Sequence, residues 1–564
     1  WIGRGRRWVV GSVAAHPVWL YSILCVVHGG WGCVGASGPI VGEDLVNTYP
    51  WLTTIALLPL VGSVIVILIP KHNAGLAKTV ACAFSLLTLG AVIAMALNFD
   101  ANSRETFQFT ESYAWIPTFG INFSFGVDGI ALVLIALAAT LVPVVILGGW
   151  DEGLESQGSV KGYFALILVL ESLMVGVFAA TDVFLFYVFF EAMLIPVYFM
   201  IGRYGGPQRS YAAVKFLIYS LVGGLFMLAS LIGLYVVSAQ ITGTGTFDFT
   251  TLVGLDIDPD VQKLLFLGFF FAFAIKAPLW PFHTWLPDAA GQAQPGTSVL
   301  LIGVLDKVGT FGMIRYCLEI FPAASIFYAP AVISIAVIGI FYGAFVALKQ
   351  TDLRRLFAYS SISHFGFIAL GIFVFTSAGH TGSMVYMVAH GLSTAGLFIV
   401  AGYLMTRRGG SSQLSSFGGV NKVAPVLAGF FLIAALSSLA LPGMVSFIGE
   451  FLVLLGAFQQ YMWLGAVATV GIVITAAYVL RVYQKSMTGP LNPDCEGMKD
   501  LNGREITALA PIALLIIVLG VFPAPLLNVI NPAVDRVMTT VGVSDPEVTF
   551  PILGESVTSE GGSE

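Results

Sequence analysis

Apolar residues run along this chain in blocks of about twenty, separated by short breaks where charges, glycines and prolines collect. A helix needs about twenty apolar residues to cross the ~30 Å hydrocarbon core of a bilayer, so each block predicts one span. The blocks fall near 50–69, 76–97, 128–149, 161–180, 182–202, 211–239, 263–284, 295–317, 328–348, 353–374, 382–405, 427–456, 461–483 and 508–528. Because the apolar residues run continuously instead of alternating, a transmembrane β-barrel is excluded. The pattern predicts an all-α polytopic membrane protein with about fourteen transmembrane helices. Four longer polar stretches (98–127, 240–262, 486–507 and the tail from about 529) read as loops, and none is a soluble domain.

Composition strengthens this picture. Only 10% of the 564 residues are charged and 57% are hydrophobic, whereas soluble domains carry about 25% charged residues. The net charge of −6 comes with no basic tract for nucleic acid. The five cysteines are scattered without a C-x-x-C pair, which argues against a zinc site, an iron–sulfur cluster or a disulfide framework.

Charge asymmetry tests the span count. If the first span starts outside, the inside loops carry sixteen lysines and arginines, from Lys71 to Arg504, and the outside loops and tail carry four, Arg104, Lys263, Arg315 and Arg536. The bias supports fourteen helices with the C-terminus outside. One inside loop, 150–162, is acidic (Asp151, Glu152, Glu155). The first 48 residues place Arg4, Arg6 and Arg7 before an apolar stretch from Trp8 to about Val34. They read as an upstream or signal-like extension in preference to a functional helix.

An ionisable group at the bilayer centre costs roughly 2.5–3.5 kcal/mol on the insertion scale, so each one requires a reason. Glu191, in FLFYVFFEAMLIPVYFMIG, has no basic residue within helical reach. Its carboxyl either pairs with another helix or is neutral part of the time, as a proton carrier must be. Lys276, in AIKAPLWPFHTW, precedes Pro278 and Pro281, which free backbone carbonyls inside the membrane. Such breaks persist only where they line protein or water, so Lys276 either caps those carbonyls or carries protons beside them. Lys307 has Asp306 adjacent, but side chains one residue apart point in different directions. His364 and His390 sit among serines and threonines, and histidine suits relay work. Glu450 follows a break at Leu441, Pro442 and Gly443. Glu171 is a weaker candidate, as carrier or as ion-pair partner.

The two breaks, in the seventh and twelfth spans, are five helices apart. Two consecutive five-helix units, each with its fourth helix broken, would have opposite orientations, since an odd number of spans inverts the second. Inverted repeats around midplane sites are a transporter architecture. The chain then divides into a 1–48 extension, helices one to three (49–160), repeat one (161–317), repeat two (328–485), and helix fourteen with a polar acidic tail (486–564).

The stretches FEAMLIPVYFMIG, FAIKAPLWPFHTWLPDA, GVLDKVGTFGMIRY, KQTDLRRLFAYSSISHFGFIALG, AHGLSTAGLFIVAGYL and LPGMVSFIGEF resemble the antiporter-like subunits of respiratory NADH-quinone oxidoreductase (complex I), in particular the M or chain 4 type. The resemblance covers roughly residues 49–530. It implies a fourteen-helix subunit of the membrane arm in the bacterial inner membrane, beside subunits of the L and N types. NADH, FMN, iron–sulfur clusters and quinone would be bound by other subunits, with no cofactor in this chain. It further implies that Glu191 and Lys276 form the family's Glu–Lys pair, Lys307 is the central lysine, His364 and His390 connect it onward, and Glu450 is the terminal acid. Two positions depart from the pattern: Ala290 with the following GQAQPGT replaces a histidine and an EAPT-like run, and Asp306 stands where an apolar residue is usual. The resemblance also leaves a subunit of a multi-subunit sodium/proton antiporter, a membrane-bound hydrogenase subunit and a purely structural scaffold as alternatives.

Overall fold

The structure is a computed structural model that describes residues 49–152 and 159–546. The 1–48 extension, Glu155 and the end of the acidic tail lie outside the described residues. Twelve helices among the described residues are long and apolar enough to cross a membrane. They begin with α1 (Trp51–Leu68), α2 (Ala74–Leu97), α3 (Gly129–Gly148), α4 (Val160–Ala179), α5 (Val183–Tyr204) and α6 (Arg209–Thr242). The expected seventh span is helical only as α7 (Pro259–Lys276), with non-helical turns over the rest of its range, and a short helix α8 (Trp285–Gln292) follows beyond its expected end. Next come α9 (Pro295–Leu318), α10 (Pro322–Lys349), α11 (Leu353–Phe373) and α12 (Ser377–Arg407). The expected twelfth span is two pieces, α13 (Pro425–Ser438) and α14 (Val445–Gln460). Two further spans, α15 (Met462–Met487) and α16 (Gly503–Val521), complete the set.

Helices α9, α11 and α12 form the interior. The apolar windows of α9 and α12 are completely buried, whereas only 39% of that of α1 is. Close backbone approach shapes this core. A Cβ on Gly449 of α14 would lie 2.7 Å from the backbone of Tyr386 on α12, so the pair packs at the short range that small residues allow in membranes.

Two stretches expected to be loops are ordered. Residues Gln108–Ile116 (β1) and Ile121–Val127 (β2) form an antiparallel hairpin. The carboxylate of Glu111 on β1 accepts from the amide of Leu52 at 2.7 Å and from that of Thr53. A carboxylate there satisfies the orphan donors of α1 and opposes the positive end of its dipole. The tail contains α17 (Ala524–Val541), whose apolar side (Leu526, Ile530, Val534, Val537, Val541) is buried against α3 and α12. Its apolar residues recur at helical spacing among polar ones, so it lacks the continuous run that marks a span.

Arg315, counted among the outside charges from sequence, lies inside α9 and is buried. Its guanidinium pairs with Asp128 at 2.6 Å and with Glu319 at 3.4 Å, and packs on the rings of Phe107 and Phe249. The acidic inside loop is also explained. Asp151 pairs with Arg504 at 2.7 Å and lies 4.0 Å from Lys78. Glu152 accepts from the Tyr163 hydroxyl at 2.7 Å and from the Gly296 amide at the start of α9 at 3.0 Å. These acids are matched groups and add little free negative charge to the inside face.

Removing one member of a buried ion pair leaves an uncompensated charge and costs about 3–5 kcal/mol. Asp128→Ala is therefore expected to destabilise the protein by roughly that amount, read as a lower thermal midpoint and less assembled protein in membranes; Asp128→Glu should recover part of the loss. Burial pushes Glu152 up to about 7 from its ordinary 4.5. Below the ordinary value it is protonated whether folded or unfolded; as pH rises towards 7 the unfolded acid ionises first, so its stabilising contribution declines across that window. Glu152→Gln is expected to flatten the fall in thermal midpoint over the same range.

Candidate functional site

Glu191 sits where α5 is interrupted at Met193. Its carboxylate rests on α6, where a Cβ on Gly224 would lie 1.7 Å from Oε1, so a side chain there would have to displace the carboxylate. Oε1 is buried without a hydrogen-bond partner, and the carboxylate interacts electrostatically with Lys276.

Lys276 is the last residue of α7 and is buried. The carbonyls at this break have partners other than the lysine: Ala274 O accepts from the Leu279 amide at 2.9 Å, and Ile275 O from the Trp285 indole at 3.0 Å. This removes the capping reading of Lys276. Its ammonium has no hydrogen-bond partner and lies 5.0 Å from the Phe190 ring centre.

Helix α9 carries the centre of the site and contains two widened π-type turns, Leu301–Leu305 and Met313–Leu318. Such turns leave carbonyls off the regular ladder. Ile302 O accepts from Lys307 Nζ at 2.5 Å, and the same amine is 2.7 Å from His390 Nδ1 on α12. The His390 and His364 rings are 5.4 Å apart. His364 Nδ1 lies 2.5 Å from the Tyr386 hydroxyl, and its Nε2 is 3.1 Å from Ser360 Oγ, which bonds the Tyr478 hydroxyl at 2.7 Å.

Glu450 closes the line on α14. Both carboxyl oxygens are buried without a hydrogen-bond partner, and both phenols lie within its electrostatic reach. Between α13 and α14 the chain turns through Ala440 (φ 56°) and Gly443 (φ 95°). The Leu436 and Ser437 carbonyls are taken by the amides of Leu441 and Ala440, and Ser393, Ser437 and Ser446 join hydroxyls across the break.

Six candidates thus fall into two groups, Glu191 with Lys276, and Lys307 with the two histidines, with Glu450 within electrostatic reach of the phenols beside His364 but hydrogen-bonded to neither. Glu171 does not join them: its carboxylate is buried on α4 with no hydrogen bond, and no ion pair to it occurs among the described residues. The GQAQPGT run is not empty of contacts, since Gln292 accepts from the Gly206 and Gln208 amides and Gln294 donates to Tyr204 O. Sequence reasoning missed Tyr386, Tyr478 and Ser360, because a hydroxyl on an apolar helix carries no charge to flag it. Their spacing held a signal: Tyr386 and Ser360 each stand four residues before a candidate histidine, on the same helix face. It also missed His283, buried on the α7–α8 break with neither ring nitrogen bonded.

The sequence pattern of the NADH:quinone oxidoreductase/Mrp antiporter transmembrane family matches residues 180–475, which include every candidate but Glu171. The NADH-quinone oxidoreductase subunit M of Mycobacterium tuberculosis is 49% identical over 552 residues, covering 91% of this chain and 99% of its own length. The chain belongs to the NADH-quinone oxidoreductase subunit M family. The family member from Rickettsia prowazekii is 39% identical over 87% of this chain. A chain of respiratory complex I from Thermus thermophilus with bound NADH superposes with a TM-score of 0.79 at 31% identity, covering 87% of this chain and all of that one. A chain of the Mrp complex from Dietzia shares the fold at a TM-score of 0.76 and 20% identity. Membership fits a multi-pass chain in which six of the seven candidate residues lie within the matched region.

Gly224→Ala is expected to displace Glu191 while leaving assembly intact, because the clash falls on the end of a side chain. Quinone-coupled turnover should drop several-fold, with the amount of subunit in membranes unchanged on immunoblots.

Proposed function

We propose that this chain is the M-type, proton-translocating subunit of the membrane arm of NADH-quinone oxidoreductase, in the bacterial inner membrane. NADH oxidation and quinone reduction take place in other subunits, which hold the FMN, iron–sulfur clusters and quinone; neighbours of the L and N types flank this chain. The observation that carries the reading is Lys307 Nζ, buried in the interior and 2.7 Å from His390 Nδ1.

The chemistry follows from charge in a low-dielectric interior. With the Glu191 carboxylate near, Lys276 holds its proton as an ammonium. A change arriving from the neighbouring subunit moves the two apart. Without its counter-charge, and with no hydrogen bond to hold it, the ammonium becomes costly and gives up its proton. The proton passes to Lys307 and on to His390, which is within direct hydrogen-bond reach. His364 and the hydroxyls around it lead on to Glu450, which releases the proton outside or couples to the next subunit. Breaks at Lys276 and before Glu450, five spans apart, support two inverted five-helix units in which each break gives backbone freedom beside its titratable group.

Glu191→Ala and Lys276→Ala in the assembled complex are each expected to reduce proton pumping and NADH–quinone turnover by about tenfold or more. NADH oxidation by an artificial acceptor should persist. Unchanged pumping and turnover in both variants would overturn the assignment. A sodium/proton antiporter subunit shares the fold, and co-purification with flavin and iron–sulfur subunits decides for the dehydrogenase.

A further inference from the structure

The line described above has a gap between Lys276, on the break of α7, and Lys307, on α9. The structure fills it with a carboxylate. Asp306 is fully buried, and neither of its oxygens has a hydrogen-bond partner. The charges that act on it are those of Lys307 and, more weakly, Lys276.

The helix faces explain this placement. Asp306 and Gly309 are three residues apart and share a face of α9. A Cβ on Gly309 would lie 2.6 Å from both the Phe273 carbonyl and the Ala277 amide, so that face lies directly on the α7 break that ends in Lys276. Lys307 and Thr310 share the next face. Lys307 reaches His390, and Thr310 Oγ1 is 2.8 Å from Met387 Sδ, so that face is turned to α12. The adjacent pair therefore divides its directions, with Asp306 toward the first half of the path and Lys307 toward the second.

A buried carboxylate with no hydrogen bond is costly as a static counter-ion. Its two lone-pair-bearing oxygens become useful if it takes and gives a proton. We propose that Asp306 is a proton carrier between Lys276 and Lys307. In the first step an N–H bond of the Lys276 ammonium breaks and an O–H bond forms on Asp306, leaving a neutral amine and a neutral acid. In the second step the Asp306 O–H breaks and an N–H forms on the neutral amine of Lys307, which restores the carboxylate. Charge is conserved at each step and no other reactant is needed. The two-step route avoids moving a proton between two cationic sites, since the carboxylate carries it as a neutral acid.

This inference rests on the proton-translocation reading, so its test carries arms that separate the two. Asp306→Asn, Asp306→Glu and Asp306→His are compared in the assembled complex with Lys276→Ala and Lys307→Ala, reading proton uptake into membrane vesicles alongside NADH–quinone turnover. Asp306→Asn is expected to slow pumping by about tenfold or more. Asp306→Glu and Asp306→His should both restore a substantial part, because each side chain titrates although only Glu carries negative charge. Pumping within about twofold of the native complex in Asp306→Asn, well below the effect of a lost acid–base group, overturns the proposal. Rescue by Glu but not by His also overturns it, showing a counter-charge only. If Asp306→Asn does not assemble, Asp306→Ser provides the non-titratable comparison. Full pumping in both lysine variants would instead remove the underlying reading.

Discussion

The bilayer interior supplies neither water nor counter-ions, and this constraint organises the whole molecule. Every charge and every backbone group displaced from a helix must find its match inside the protein. Arg315 meets it with two carboxylates and two aromatic faces. The α7 break meets it with an indole and a local amide. Against this matching, several buried titratable groups are left without hydrogen bonds: Lys276, Asp306, Glu450, Glu171 and His283, with Glu191 unmatched on one oxygen. A structural pair would be costly to leave so incomplete, whereas a carrier must part with its partner in each cycle.

Backbone irregularity and chemistry coincide for a related reason. A regular helix uses all its polar groups on itself and presents only side chains. The π-type turn at Leu301–Leu305 turns a carbonyl toward Lys307, and the α13–α14 break brings three serine hydroxyls together. Glycine supplies the remaining precision: Gly224 gives Glu191 its place, and Gly309 lets α9 lie against the break in α7.

Much of this was legible in the sequence, because membrane insertion writes its demands in long apolar runs. The spans, both breaks and the six central ionisable residues follow from run length, proline position and the cost of burying charge. The hairpin β1–β2 and helix α17 were not legible as elements. Their apolar residues alternate or recur among polar ones, which in a chain this hydrophobic reads as loop. The placement of Asp306 was equally hidden: adjacency to Lys307 suggested a loose partner, and only the packing of Gly309 on α7 puts the helix face that carries Asp306 against the break that ends in Lys276. Glu171, the weaker candidate from sequence, is buried like Glu191, but among the described residues no charge acts on it as Lys276 acts on Glu191, a difference set by neighbouring helices.

The contact between Glu111 and the start of α1 also bears on how the chain is made. The Leu52 amide waits for a carboxylate 59 residues further along. As the chain is inserted in order, α1 and α2 enter the bilayer before the hairpin exists, and the outer end of α1 is finished only after the segment carrying Glu111 has been delivered to the same side. Two crossings separate Leu52 from Glu111, so a chain in which only one of the two helices crossed would leave those amides and Glu111 on opposite sides of the membrane. The clasp thus closes only over a completed pair of crossings, tying the two ends of the first helix pair together on one face of the membrane.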